Sequence, residues 1–298
     1  MLNAVAIANR NSGAGSKLRH IELPFRQVFE PAQIDWSVCL QADLLVMFGG
    51  DGTIQRTTTD MLTQADFAAQ KTQGQLPALA IVPYGTTNMS ARTINRSMRR
   101  YQAVRSLKSL LHLETYDQLT THSHPLLKIQ AGEDLLYGYA LGAGVIANFV
   151  SQWHERRADV AALNQLRSLL TLLRGLQDTN DSTRVLMNNQ PMELYMMVLT
   201  TLRELIYGSQ PFWGSARDAN AAIRATWIDS GTPGLLGAAP ALLRGAPRMA
   251  GMNGFGSRGF AQLELICEGP MVLDGEVYDY RDRVLNISAD DSLAWVAL

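Results

Sequence analysis

Two cysteines in 298 residues, Cys39 and Cys267, are too few and too far apart for a disulfide framework. Both sit in apolar segments and read as buried thiols of a reducing compartment. The chain also lacks any run approaching the roughly 18 uninterrupted apolar residues that a bilayer-spanning helix needs. No basic stretch followed by a long apolar one precedes the first strand, so no secretory signal is visible and a cytoplasmic location is expected. Charge of either sign is missing too: 26 Lys and Arg against 27 Asp and Glu leave a net −1. Such a chain has no general attraction for nucleic acid or anionic lipid, and any such binding must be local. Among the five histidines, His122 and His124 form a close pair, but no third ligand stands near them, and loop histidines account for them better than a metal centre. Disulfide scaffold, membrane-spanning protein and nucleic-acid binder are thereby set aside.

What remains is a chain with 47% hydrophobic and 18% charged residues, long enough for two domains or one large one. Residues 44–53, Leu-Leu-Val-Met-Phe-Gly-Gly-Asp-Gly-Thr, are its most informative stretch. An unbroken apolar run reads as a strand of a parallel sheet, apolar on both faces. It stops at Gly49, Gly50 and Gly52, where backbone can approach a ligand closely, and Asp51 and Thr53 add a carboxylate and a hydroxyl at the crevice where open α/β sheets bind ligands. A tight strand-to-helix turn with a capping aspartate is the plainer reading of the same residues. Residues 5–16 (strand, then Asn9-Arg10-Asn11-Ser12-Gly13) and 79–88 (strand, then Pro83-Tyr84-Gly85-Thr86-Thr87-Asn88) repeat the pattern. Three strand ends rich in hydroxyls, amides and free backbone N–H groups suit phosphate oxygens. None matches the dinucleotide fingerprint or the P-loop, which ends in Gly-Lys-Ser/Thr.

The texture changes near residue 120. Before it, strands at 4–8, near 34–40, at 44–48 and at 79–82 alternate with helices over 61–70 and 91–111, the second carrying Arg92, Arg96, Arg99 and Arg100. That alternation argues a parallel α/β layer. After it, strand patterns recur at 125–130, 135–142, 183–187, 193–201, 221–228, 259–267 and 270–273, several with the period of two of half-exposed antiparallel strands. A helical leucine pattern over 160–176 and a leucine-rich stretch at 234–249 with Arg244 and Arg248 interrupt them. Each reads first as a cover for the sheet; the alternative is a wall for acyl chains or a face on a membrane with arginines at headgroup level.

With the late Leu273-Asp274-Gly275-Glu276, the three turns appear in an order that resembles the diacylglycerol kinase catalytic family, which includes sphingosine, ceramide and bacterial lipid kinases and is related to NAD kinases. The resemblance implies an α/β fold: an N-terminal nucleotide-binding α/β domain, NAD kinase-like, over 1–120, then a C-terminal β-sandwich-like lipid domain over 121–289 with the helix 160–176 inserted. Residues 290–298 would return to the first domain, and the active cleft would lie between the two. The implied activity is transfer of the γ-phosphoryl group of ATP, with Mg2+, to the hydroxyl of a lipid alcohol such as diacylglycerol, ceramide or a sphingoid base, at a membrane surface. By the same carry-over Asp274 and Glu276 supply the general base, and Asp51 stands beside the triphosphate. Asn9, Ser12, Gly13, Gly49, Gly50, Gly52, Thr53, Gly85, Thr86 and Asn88 bind nucleotide. Read alone, Asp274-Gly275 is equally an ordinary hairpin turn. A homodimer is left open.

Several positions depart from the family pattern. Gln55-Arg56 stands where many members carry Asn-Glu, Met89 where an Asp often follows the Gly-Thr-Thr-Asn turn, and Arg10 where a proline is usual. The stretch between the first turn and the central strand is short. The acidic loop that binds a structural metal in some bacterial members is represented by Asp229 at most. A nucleotide- or lipid-binding relative without catalysis is therefore the alternative, and a kinase of a small soluble substrate the third reading. Arg10 and Lys17 flank the first turn as candidate phosphate cations.

Overall fold

A computed structural model describes residues 2–12, 23–72, 76–85, 87–95, 99–156 and 182–298. The helix expected over 160–176, and with it Gly13, Lys17 and Thr86, lies outside the described residues. The chain divides into two compact units. The first comprises Met1–Leu126, Glu204–Gly208 and Asp291–Leu298; the second comprises Leu127–Arg203 and Ser209–Asp290.

In the first unit the described strands are β1 (Ala4–Ala8), β2 (Gln27–Phe29), β3 (Leu44–Gly49), β4 (Ala78–Pro83), β5 (Thr121–Pro125) and β17 (Ser292–Val296). They form one sheet in the order β2-β1-β3-β4-β17-β5. β1 to β4 run parallel and β17 continues parallel to β4, while β5 closes the edge antiparallel to β17. Every residue of β1, β3 and β4 is buried, as a parallel sheet covered on both faces requires. Helices α1 (Trp36–Cys39), α2 (Asp51–Thr63), α3 (Ala65–Thr72), α4 (Met89–Ile94) and α5 (Arg100–Leu110) complete the unit. Ala103 and Leu107 of α5 join Val46, Ala80 and Val82 in its core.

Three expectations need correction here. The strand expected near 34–40 is the short helix α1, because Asp35 accepts hydrogen bonds from the N–H groups of Ser37 (3.0 Å) and Val38 (3.4 Å) and so caps a helical turn. The helix expected from Met61 begins ten residues earlier, at Asp51, and breaks at Gln64, whose backbone is extended. The single helix expected over 91–111 is two helices, since Asn95 leaves helical geometry and α5 starts at Arg100.

The second unit is built on antiparallel strands: β6 (Leu127–Ala131), β7 (Asp134–Gly138), β8 (Ala140–Gly144), β9 (Thr183–Met187), β10 (Gln190–Thr200), β11 (Ile223–Asp229), β12 (Phe255–Phe260), β13 (Gln262–Cys267), β14 (Met271–Leu273), β15 (Glu276–Tyr278) and β16 (Leu285–Ser288). They make one sheet, curled so that Leu141, Leu199, Leu265 and Ile287 share a core. Alternation is explicit in β6 and β13, where buried and half-exposed residues take turns. Helices α6 (Val145–Arg156) and α7 (Leu235–Leu243) accompany the sheet. The hairpins β9–β10 and β14–β15 turn on two residues each with positive φ, Asn188-Asn189 (48° and 63°) and Asp274-Gly275 (49° and 90°). That is the turn geometry matching the twist of paired strands.

Candidate active site

The parallel register brings three strand ends to one level. Ala8 is opposite Phe48 and Gly49 is opposite Pro83, so the turns that follow β1, β3 and β4 emerge side by side. The glycines explain how closely they pack. A Cβ on Gly85 would lie 2.4 Å from the Gly50 Cα and 2.9 Å from the Asn88 Oδ1, and one on Gly50 would lie 2.8 Å from the Gly85 Cα. Two backbones touch there, and any side chain would force them apart. Gly49 is needed for a different reason: its Cβ would fall within 2.6 Å of the Thr53 side chain.

Helix α2 begins directly after Gly50, and no side chain among the described residues caps it. Its first amides therefore have no intrahelical partner, and the positive end of the helix dipole lies at this turn. Asn9 reaches over from the first turn, its Nδ2 donating to Thr53 Oγ1 at 2.7 Å and its Oδ1 accepting from the N–H of Asn11 at 2.9 Å. The Ser12 hydroxyl donates to the Asn9 carbonyl at 2.8 Å, closing that turn on itself. Asn88, in the left-handed region at φ 49°, accepts from the Gly85 N–H and donates to the Gly85 carbonyl, both at 2.8 Å.

Asp51 ties the second turn to the third. Its carboxylate is 4% exposed. Oδ2 accepts from the Thr87 hydroxyl (2.7 Å) and the Met89 N–H (3.0 Å), and Oδ1 from the Ser90 N–H (2.9 Å). The carboxylate thus caps α4 from a neighbouring helix, a role the sequence reading gave to no residue. Thr87 and Ser90 were missed as part of the constellation; the hydroxyl-rich run before α4 was the available signal. Arg100 is a further unanticipated contributor. Its Nε donates to the Pro83 carbonyl at 3.2 Å and its guanidinium lies 4.3 Å from the centre of the buried Tyr84 ring. Burial raises the Tyr84 phenol above its ordinary value, and the Arg100 charge works the other way. Arg10 points to Glu30, at 3.4 Å on an exposed surface.

Asn9, Ser12, Gly49, Gly50, Asp51, Thr53, Gly85 and Asn88 are therefore gathered at one end of the first sheet, with Gly52 in the first turn of α2. Asp274 and Glu276 belong to the second unit. Asp274 is 2% exposed at the first position of its hairpin turn. Its carboxylate accepts from the N–H groups of Tyr139 (2.8 Å) and Ala140 (2.9 Å), while its own N–H donates to the Ala140 carbonyl at 2.9 Å. The turn is thereby fastened to the start of β8. Glu276, the first residue of β15, is half-buried. Among the described residues no three His, Cys, Asp or Glu side chains gather to hold a metal ion. Asp51 already accepts three hydrogen bonds.

A parallel sheet whose adjacent strand ends meet in close-packed glycine turns, one of them opening a helix, is an arrangement chemically suited to receive an anionic group. Residues 3–117 match the family model of the diacylglycerol kinase catalytic domain, so it is the first part of the chain that is similar to that family. A comparison with curated protein sequences gives no match. Among solved structures, one described as a diacylglycerol kinase from Bacillus anthracis str. Sterne aligns with TM-score 0.62 and 14% identity over 99% of this chain and 97% of its own. A second structure from that organism gives TM-score 0.64 and 16% identity with the same coverage. An NAD kinase from Archaeoglobus fulgidus in complex with ATP aligns at TM-score 0.46 and 13% identity, over 98% of this chain and 93% of its own. At these identities the likeness to the two Bacillus anthracis structures speaks for the fold alone.

Proposed function

We propose that the chain is an ATP-dependent lipid kinase that transfers the γ-phosphoryl group to the hydroxyl of a lipid alcohol, with diacylglycerol, ceramide and sphingoid bases as the candidates. The observation that carries this reading is the start of α2 at Gly50, set against the Gly85–Asn88 turn and braced by Asp51. Phosphoryl transfer asks the protein mainly for positioning and charge stabilisation, and preorganised amides supply both. In this reading the amides at 51–53 receive phosphate oxygens. Asn9 and Thr53 line the approach, and Asp51 holds the second and third turns in register.

The acceptor's hydroxyl oxygen attacks the γ-phosphorus, the bond to the bridging oxygen breaks, and ADP leaves with that oxygen. The hydroxyl proton passes to a carboxylate of the Asp274–Glu276 hairpin. The half-buried Glu276 is better suited to that exchange than Asp274, which is buried and committed to two backbone amides. Incubation with radiolabelled ATP, magnesium and a lipid panel in mixed micelles tests the proposal. Label in an extractable phospholipid is expected. Folded protein that transfers to no lipid, under several divalent metals, would overturn it.

A second reading, a nucleotide-binding relative without catalysis, is favoured by the Asp274 geometry and by Arg56 and Met89 at positions where many members carry acids. Stabilisation of the fold by nucleotide with no transfer would select it.

A further inference from the structure

Helix α7 is apolar on two opposite stripes, and among the described residues one of them is packed into a core while the other is largely exposed. Its sequence, Leu-Leu-Gly-Ala-Ala-Pro-Ala-Leu-Leu, contains no charged residue. Leu235, Ala238, Ala241 and Leu242 face inward and join Tyr195, Trp213, Ile228 and Met249 in a core cluster. The other stripe is Leu236, Ala239, Pro240 and Leu243, at the i, i+3, i+4, i+7 spacing of a single helix face. Leu236 is 49% and Leu243 50% exposed, and a Cβ on the adjacent Gly237 would meet nothing within 4 Å. A helix apolar all round belongs in a core or against lipid, and this one has half of its surface uncovered.

The charge along this stretch of the chain, between Asp229 and Glu264, is one-sided. Residues 230–263 contain no Asp or Glu and three arginines, Arg244, Arg248 and Arg258, in a chain whose net charge is −1. Arg244 and Arg248 follow the helix and are exposed. Arg217 adds a third guanidinium at the same end, donating from Nη2 to the Arg244 carbonyl at 3.0 Å. An exposed apolar stripe ending in arginines matches a bilayer interface, where leucines enter the acyl boundary and guanidinium groups stay at phosphate level. Nine residues are too short to span a bilayer, and no described helix is long and apolar enough to do so.

We propose that the outer stripe of α7, with Arg244 and Arg248, is a surface that rests on an anionic membrane. The inference agrees with a lipid substrate but does not depend on it, because binding is read without nucleotide. The test is co-sedimentation of the full chain with phosphatidylcholine vesicles, with and without about one-third phosphatidylglycerol. Binding to the anionic vesicles is expected, falling in high salt. Each arginine-to-alanine change should weaken it about fivefold, Arg244→Ala/Arg248→Ala about 25-fold, and Leu236→Glu/Leu243→Glu should abolish it. Since all four side chains are exposed, melting temperature should stay within a few degrees, which separates lost binding from lost fold. Equal binding by parent and variants would overturn the proposal, as would no binding to anionic vesicles. Absent vesicle binding combined with a dimer dispersed by the leucine changes would assign the stripe to a second copy of the chain instead.

Discussion

Asp51 is the residue whose role the geometry states most sharply, and its removal should damage the fold before the chemistry is considered. Its carboxylate accepts three hydrogen bonds while 4% exposed. In Asp51→Ala the Thr87 hydroxyl, on an exposed residue, turns to water at little cost. The Ser90 N–H, on a fully buried residue, loses its acceptor outright, and the half-buried Met89 N–H partly so. A buried donor left unpaired costs about 1–3 kcal/mol, so the first unit should lose about 2–5 kcal/mol. At about 2–4 °C per kcal/mol for a unit of this size, melting should fall by roughly 4–20 °C. Asp51→Asn keeps one acceptor oxygen but turns an amide N–H2 toward a donor, and should cost about 1–3 kcal/mol. Thr87→Val should cost less than about 1 kcal/mol, and the double variant less than the sum, because the two share one bond. Thermal unfolding gives the total; amide exchange over residues 87–94 locates it, with protection in α4 falling at least about tenfold in Asp51→Ala. Melting within a degree of the parent and unchanged exchange would refute the bracing role.

Other outcomes follow from the same contacts. Glu276→Gln should lower turnover by at least about a hundredfold, as for a general base. Asp274→Asn should also destabilise the second unit, by about 1–3 kcal/mol, because an amide nitrogen cannot accept from both Tyr139 and Ala140; equal stability of the two variants would contradict the assignment. Gly85→Ala puts a Cβ 2.4 Å from the Gly50 Cα and should cost about 2–3 kcal/mol or more, read by chemical denaturation. Burial and the nearby Asp35 push the Cys39 thiol up to about 12, and burial raises Cys267. A thiol reagent at pH 8 should therefore modify neither until the protein is unfolded, then both. Burial also raises the Asp229 carboxyl. A raised folded-state value means its contribution to stability is present below the unfolded value, about 3.9, and is lost as pH rises through the folded one. Asp229→Asn should thus melt higher than the parent at pH 7, with the gap closing toward pH 4.

Much of this architecture was legible because buried parallel strands leave a strong mark. The apolar runs at 4–8, 44–48 and 79–82 are β1, β3 and β4 within a residue or two, since no polar residue is tolerated on either face. In the second unit the strands at 183–187, 193–201 and 221–228 were legible as β9, β10 and β11, whereas the run at 135–142 is two strands, β7 and β8, and the run at 259–267 joins the end of β12 to β13. The start of α2 was not legible, because its first two turns carry Thr53, Gln55, Thr57 and Thr58, polar residues that are nevertheless buried. Hydrophobic periodicity is silent where a helix packs through hydroxyls. The strand expected near 34–40 failed through a local signal that outweighed composition, the Asp35 cap. At the site, the glycines were read as room for a ligand, whereas Gly50 and Gly85 are required by contact between two turns. Asp51 was placed beside the phosphates without its three partners, which lie 36 to 39 residues away in sequence. The Asp274-Gly275 turn shows how two readings of one motif can be compatible: it is a hairpin turn, and its acid is tied to backbone, yet Glu276 follows it.

The most direct test of a triphosphate seated on the start of α2 is hydrogen exchange of the full chain with and without MgATP. Protection at the amides of residues 50–54, with a smaller gain over 87–90, is the expected result. Unchanged exchange at 50–54 under saturating nucleotide, or protection confined to other segments, would contradict it.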